Sequence, residues 1–274
     1  MNLKNIDTNF YTLQAYVRSL FDAYPADAVK MVSVEEQEQE IELLKQTLGG
    51  ERFFFIIDMP DFEICQTTGI NQWLGYSDMQ FSLGDYWENI VHPQCKKSLL
   101  LIAHQLYGSL CTGKYPLQFM VQRYSSRVAL RHRDGHYLLA KKTSSIFQYD
   151  DKNRLLGYLN EFTIIGDYNG EPIEPRMYNS FGDREIEKEK EILDKTMKRF
   201  LEMKIFSAKE LQTARILAYN SDATQSSIAE EFEVSRHTID TFYKRFLEKA
   251  RNFFGKEFRS ATEAAVFLRK EGLL

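Results

Sequence analysis

A chain of 274 residues has room for about two domains. With 43% hydrophobic and 14% aromatic residues it can bury real cores, which excludes a globally disordered chain. Residues 207–274 hold 11 Lys+Arg against 10 Asp+Glu, the rest 24 against 29, so the net charge of −4 carries no nucleic-acid signature of its own. The three cysteines are odd in number, widely spaced and never in a CxxC pair, which speaks against a disulfide framework or a cysteine zinc site. No basic leader precedes an apolar run, and no apolar run approaches the roughly 18 residues a membrane helix needs, so the expectation is a cytoplasmic protein with no membrane partner.

The first 50 residues are read as a helical segment. Phe10, Leu13, Tyr16, Val17, Leu20 and Phe21 fall at helical spacing, and Tyr24-Pro25 should end that helix. A second amphipathic stretch runs from Ser33, with Glu36 and Gln37 placed for an N-cap, to about Leu48, where Gly49-Gly50 closes it. From 51 to 165 the texture changes to aromatic and β-branched runs cut by turns. RFFFIID and FEICQTT flank a Met-Pro-Asp turn, 95–110 reads as a helix, and 115–165 as three strands. Asp134-Gly135 is expected as a type I′ hairpin pair, and Asp150-Asp151-Lys152-Asn153 supplies the next turn. Residues 166–182 read as a loop. In 183–204, Ile186, Leu193, Met197, Phe200 and Lys204 step at near-heptad spacing, which suits a linker helix, packed on one domain or forming a short dimerising seam. From 206 to 274 the chain reads as helical: Ser207 with Glu210 and Ser260 with Glu263 form Ser-x-x-Glu capping boxes, and Gly255 and Gly272 are natural stops.

The order of two strands, short helices, a longer helix and three strands, with WLGYSDMQF (73–81), WENIVHPQ (87–94), RHRDGHYLL and GYLNEFTII, resembles the PAS family over about residues 51–165. The resemblance implies an α+β sensor or dimerisation domain with a five-stranded antiparallel sheet and helices around a small cavity. Trp73, Trp87, His104 and Phe119 are the candidate pocket residues, and Tyr86 is a further aromatic placed either to line the cavity or to fill the core. FSAKELQTARILA, SIAEEFEVSRHTI and KEFRSATEAAVFL resemble the LuxR-type helix-turn-helix over about 206–270, which implies an all-α DNA-binding domain. Its spacing has a physical basis: Ile228 and Phe232 face the core, Ala229 leaves room for a crossing helix, Val234 plugs the turn, and Ser235 can cap the next helix. Ile239, Phe242 or Tyr243, Phe246 and Ala250 then bury that helix. The open face is left with Arg236, His237, Asp240, Thr241 and Lys244, the part that meets base edges in such proteins. Gln225, Ser226, Ser235 and Arg245 complete the expected DNA-contacting set. Asp240 departs from the basic or neutral residue usual there. It is placed either to pair with Lys244 or to accept from a cytosine amino group. Within 235–251, Arg236, Lys244, Arg245, Lys249 and Arg251 outnumber Asp240 and Glu248.

No catalytic constellation outranks its structural reading, so no enzyme is expected. His132-Arg133-Asp134 looks like a kinase triplet but lacks the following Asn and any phosphate loop. His132 and His136 straddle a turn and could share a metal, yet the sequence offers no evident third ligand, so no metal is assigned. His104 lies where some PAS domains hold haem, and the Asn-Cys-Arg-Phe motif of flavin photosensors is absent. No cofactor is expected. The sequence thus points to a transcription regulator binding double-stranded DNA as a homodimer, controlled by a PAS-like domain that senses an unidentified small ligand or only dimerises. The alternative is a protein-interaction module that keeps the bundle without binding DNA.

Overall fold

The computed structural model describes residues 9–25, 28–179, 181–220 and 222–274. Of the described residues, those up to Glu189 form one compact unit and those from Lys190 to Leu274 another.

In the first unit, helices α1 (Phe10–Ser19) and α2 (Val34–Gln46) precede strands β1 (Arg52–Asp58) and β2 (Glu63–Thr68). Helix α3 (Ile70–Leu74) follows, then the single turn α4 (Leu83–Asp85), which runs into a π-turn over Tyr86–Ile90, and the long helix α5 (Pro93–Leu110). Strands β3 (Arg123–Arg131), β4 (Tyr137–Tyr149), β5 (Leu155–Asp167) and β6 (Arg176–Tyr178) complete the unit. The sheet is antiparallel throughout, in the order β2-β1-β5-β4-β3-β6.

Six strands replace the five expected. The sixth lies in the segment read as a loop, because Arg176–Tyr178 finds a partner in the free edge of β3 at Arg123–Ser125. Residues 115–122, expected as strand, stay outside the ladder; Met120 takes left-handed backbone and donates one N–H bond to the Ile146 carbonyl, 2.9 Å. The turn at Asp134-Gly135 also differs. His132 N–H donates to the His136 carbonyl at 2.8 Å, so three residues close the hairpin, and Asp134 lacks the positive φ that a type I′ turn demands. After α2 the left-handed residue is Glu51, not Gly49 or Gly50.

Strand alternation divides the core. On the helix-covered face, Phe53 stacks on Phe162 at 4.6 Å, Phe55 meets Tyr86 at 5.1 Å, and Tyr158 meets Tyr107 of α5 at 5.7 Å. On the other face, Phe54, Ile56, Phe147 and Leu159 pack with Leu44 of α2. Helix α2 begins with the expected Ser33 cap, reciprocated by Glu36. Helix α1 packs by way of Tyr16, whose ring stacks on His104 at 3.8 Å and whose hydroxyl occupies the space a side chain at Gly108 would need.

Helix α6 (Ile186–Glu202) lies in the segment read as a linker helix. In the second unit, α7 (Ala208–Tyr219), α8 (Gln225–Glu231), α9 (Arg236–Phe254) and α10 (Ala261–Lys270) follow. Ser207 forms its full capping box with Glu210. Ser260 caps α10, but Glu263 reaches back to the Arg259 N–H instead of the Ser260 N–H, so that box is incomplete. Gly255 and Gly272 end α9 and α10 in left-handed backbone, as their positions suggest. The core gathers Phe206, Leu211, Ile228, Ile239, Phe246, Ala250 and Leu268.

Candidate nucleic-acid interface and buried polar core

Helices α8 and α9 form a helix-turn-helix. The turn is short because Glu233 takes φ 55° and Val234 N–H donates back to the Ala229 carbonyl at 3.0 Å. Ser235 then caps α9, accepting from Thr238 N–H at 3.1 Å. Ile228, Ala229, Phe232, Ile239 and Phe246 are buried, as their spacing predicted, and Val234 is half-buried.

Burying that seam turns two ridges outward, Arg236–Asp240–Lys244 and His237–Thr241–Arg245. The nine sequence-predicted residues therefore share the region around the turn and the first half of α9, but they are not equally free. Asp240 pairs with Lys244 at 2.8 Å, and that hydrogen bond, first among its causes, holds the Asp240 carboxyl below its ordinary range. Arg236 Nε donates to Gln225 Oε1 at 3.3 Å, Thr241 Oγ1 donates to the His237 carbonyl at 3.0 Å, and Ser235 is occupied as a cap. Ser226, His237 and Arg245 are exposed, with no side-chain hydrogen bond among the described residues.

The basic count of α9 shrinks further on inspection. Lys249 Nζ donates to both carboxylate oxygens of buried Glu210, at 2.7 and 3.0 Å. Burial works to raise the Glu210 carboxyl, but the bonds from Lys249 and Ser207 outweigh it and hold it low. Arg251 donates to the Phe258 carbonyl. These two cations fasten the bundle, which leaves Arg236, Lys244 and Arg245 as the cations of the outward face of α9.

The four candidate pocket residues are not brought together. Trp87 is buried beside Tyr86 on the helix-covered face, and Phe119 packs against Phe147 on the opposite face. His104 is taken up by Tyr16, and Trp73 sits half-buried on α3. A groove of about 450 Å³ opens between α2 and the sheet, lined among others by Tyr24, Gln37, Ile41, Ile56, Phe147 and Gln148, and none of the four lines it.

A different set converges inside the helix-covered face. Cross-strand register aligns Phe55, Asn160, Ser144 and Tyr124 in one row and Phe53, Phe162, Lys142 and Ser126 in the next. Lys142 is buried; its ammonium meets neither carboxylate nor hydrogen-bond acceptor among the described residues, and burial pushes its pKa down to about 8. Ser144 Oγ donates to Asn160 Oδ1 at 2.7 Å. Tyr86 Oη, Ser98 Oγ, Ser126 Oγ and Asn160 Nδ2 are buried with no hydrogen-bond partner among the described residues. A buried polar group left without any partner costs about 1–3 kcal/mol; Ser126 and Asn160 share the sheet face of Lys142. Of the buried polar set, Tyr86 is named from the sequence; Lys142, Ser126 and Asn160 share the face of Phe53 and Phe55 only through the strand register, which the sequence does not display.

The class these features define is an α+β protein with a six-stranded antiparallel sheet domain, polar at its heart, and a helix-turn-helix unit in the same chain. No protein-family model matches the sequence, and no curated protein matches it. Among solved structures it is similar to the VqmA dimer of Vibrio cholerae, a LuxR-type receptor (13% identity, 88% of this chain and 89% of that one, TM-score 0.33). It is also similar to the N-terminal domain of a diguanylate cyclase with PAS/PAC sensor from Marinobacter aquaeolei (15% identity, 42% and 95% coverage, TM-score 0.34). A third is SdiA of Escherichia coli (15% identity, 94% and 98% coverage, TM-score 0.26). Among the described residues no helix is long and apolar enough to cross a membrane.

Proposed function

We infer that this chain is a ligand-controlled transcription regulator and not an enzyme. The observation that carries the reading is the α8–turn–α9 geometry, which buries one side of α9 and leaves Arg236, His237, Thr241, Lys244 and Arg245 on an open N-terminal face of the size a major groove accepts. Arg236 and Arg245 supply phosphate or guanine contacts, and the N-terminal turn of α9 carries the base reading. In the sheet domain, the buried set of Lys142, Ser126, Ser98, Tyr86 and Asn160 supports a small polar ligand that presents acceptors to the ammonium and hydroxyls and an oxygen to the free amide hydrogens of Asn160. Such a ligand recovers the hydrogen bonds that the folded core forgoes. Its binding shifts the population between arrangements of a homodimer, and so the spacing of two recognition helices.

An electrophoretic shift on selected DNA at two salt concentrations tests the DNA reading. About three phosphate contacts per chain give a logarithmic slope near −2.7 per protomer. The absence of any shift at low salt, from folded protein, would instead support the docking of a protein on this face, a role favoured by the neutralisation of Lys244 by Asp240. Native mass spectrometry of freshly purified protein tests the ligand: wild type carries a small molecule and Lys142→Met does not.

A further inference from the structure

The hairpin joining β3 to β4 carries His132-Arg133-Asp134-Gly135-His136. Its three-residue turn places the two histidines opposite one another, with their rings stacked at 4.8 Å and 27°. Gly135, at φ 106°, lets the chain reverse so that Asp134 folds back between them. Asp134 Oδ1 lies 2.9 Å from His132 Nδ1 and in short contact with His136 Nδ1. One ligand atom from each of the three residues lies within 4.8 Å of the others.

The arrangement is held from outside. Arg133 N–H donates to the Leu74 carbonyl at the end of α3, at 2.9 Å, and the absence of a side chain at Gly75 admits Arg133 and the His132 ring beside it. The histidines therefore do not have to be collected from a mobile loop. The sequence hid the third ligand because Asp134 reads as a turn residue, and a two-residue turn would have directed it away from both rings.

We propose that His132, Asp134 and His136 form a binding site for a divalent transition metal of the Zn²⁺ class. Two imidazoles and one carboxylate are a borderline donor set: they suit Zn²⁺, Cu²⁺, Ni²⁺ or Co²⁺ and are poor for Mg²⁺ or Ca²⁺, which prefer oxygen. Ligands at about 2.0–2.2 Å from a tetrahedral ion stand roughly 3.3–3.6 Å apart, so the three side chains shift by up to about an ångström to admit one. Each neutral imidazole can carry its proton on Nε2, leaving Nδ1 as the metal ligand, and a protonated imidazole releases its proton on binding. Three protein ligands leave one coordination position to water. The bound ion fastens the tip of the hairpin, and through Arg133 its contact with α3.

The competing account is that both imidazoles simply hydrogen-bond Asp134, and calorimetric titration of the full chain with ZnCl₂ separates the two. One ion binds per chain; millimolar Mg²⁺ does not displace it; Cys65→Ser, which removes the exposed thiol, leaves it unchanged. His132→Ala and His136→Ala each weaken binding by tenfold or more, and Asp134→Asn weakens it without disturbing either ring. Circular dichroism establishes that each variant is folded, and the exposed Asp134→Asn decides the matter if either histidine variant is not. No binding by wild type, or undiminished binding in Asp134→Asn and the double histidine variant, would overturn the proposal.

Discussion

Replacing Lys142 by Met removes an ammonium from the core while keeping a chain of similar length. The ordinary amine pKa of 10.5 is pushed down to about 8 by burial, so between those values the unfolded chain holds a proton that the folded chain has released. Stability therefore rises with pH across that window, and the whole cost of the amine is present below pH 8. At about 1.4 kcal/mol per tenfold change in equilibrium constant, the gap amounts to roughly 3 kcal/mol at pH 7. In ligand-free protein, Lys142→Met should recover it, raising the melting temperature by on the order of 6–12 °C for a domain of this size. The assay is built into the sequence: the two tryptophans, Trp73 and Trp87, both lie in the sheet domain, so their fluorescence follows the unfolding of that unit alone. Burial raises the phenols of Tyr86, Tyr107 and Tyr158, which adds an opposing alkaline dependence. Those groups are common to both proteins and cancel in the difference. A variant no more stable than wild type at pH 7, with the same slope between pH 8 and 10, would refute the account of Lys142 as a buried, uncompensated charge.

Lys249→Met should cost the helical unit about 3 kcal/mol in urea unfolding, because it strands the buried Glu210 carboxylate. Glu210→Gln should cost nearer 1 kcal/mol, since Lys249 can reach water. The Glu210 carboxyl is held low in the folded state, so its contribution is present at neutral pH and disappears as acid protonates it. Lys249→Met should also leave the salt slope of DNA binding unchanged, whereas Lys244→Ala and Arg245→Ala should each reduce it by about one. Asp240→Ala should strengthen binding to all sequences alike by freeing Lys244; relaxed preference at one base pair in a binding selection would instead show that Asp240 reads a base. Gly113→Ala should destabilise the sheet domain by about 2–4 kcal/mol in thermal melts, because the new methyl overlaps the Lys152 carbonyl oxygen in addition to the strain of φ +70°. Gly170→Ala, with open space and φ +94°, should cost only about 1 kcal/mol.

What the sequence revealed and what it hid divide along physical lines. Caps and stops are local chemistry, so Ser33, Ser207, Ser235, Gly255 and Gly272 could be placed from their neighbours alone. The seam of the helix-turn-helix was legible because Ile228, Phe232, Ile239 and Phe246 repeat at helical spacing. Strand β6 was not, since Arg176-Met177-Tyr178 is too short to show alternation and becomes a strand only by pairing with distant β3. Pocket residues were missed for a related reason. Trp87 and Phe119 look alike in sequence, yet neither lies on a strand, and the path of the chain carries one beside Tyr86 and the other against Phe147 on opposite faces of the sheet. That Lys249 fastens the bundle depends on a carboxylate 39 residues away.

The sixth strand has one more effect. Its three residues, with Arg127 N–H bonded to the Ile173 carbonyl at 2.6 Å, are what separates the outer rim of β3 from solvent over Arg123–Arg127. So short a ladder opens without the rest of the sheet, and its N-terminal partners on α6 open with it, since Glu189 accepts from Met177 N–H at 2.9 Å and from Arg184. When it does, β3 presents unpaired backbone groups of the kind that recruit another strand. The short ladder that finishes the domain is thus a removable cover: its opening would add a second free edge to the one that β2 presents at the far end of the sheet.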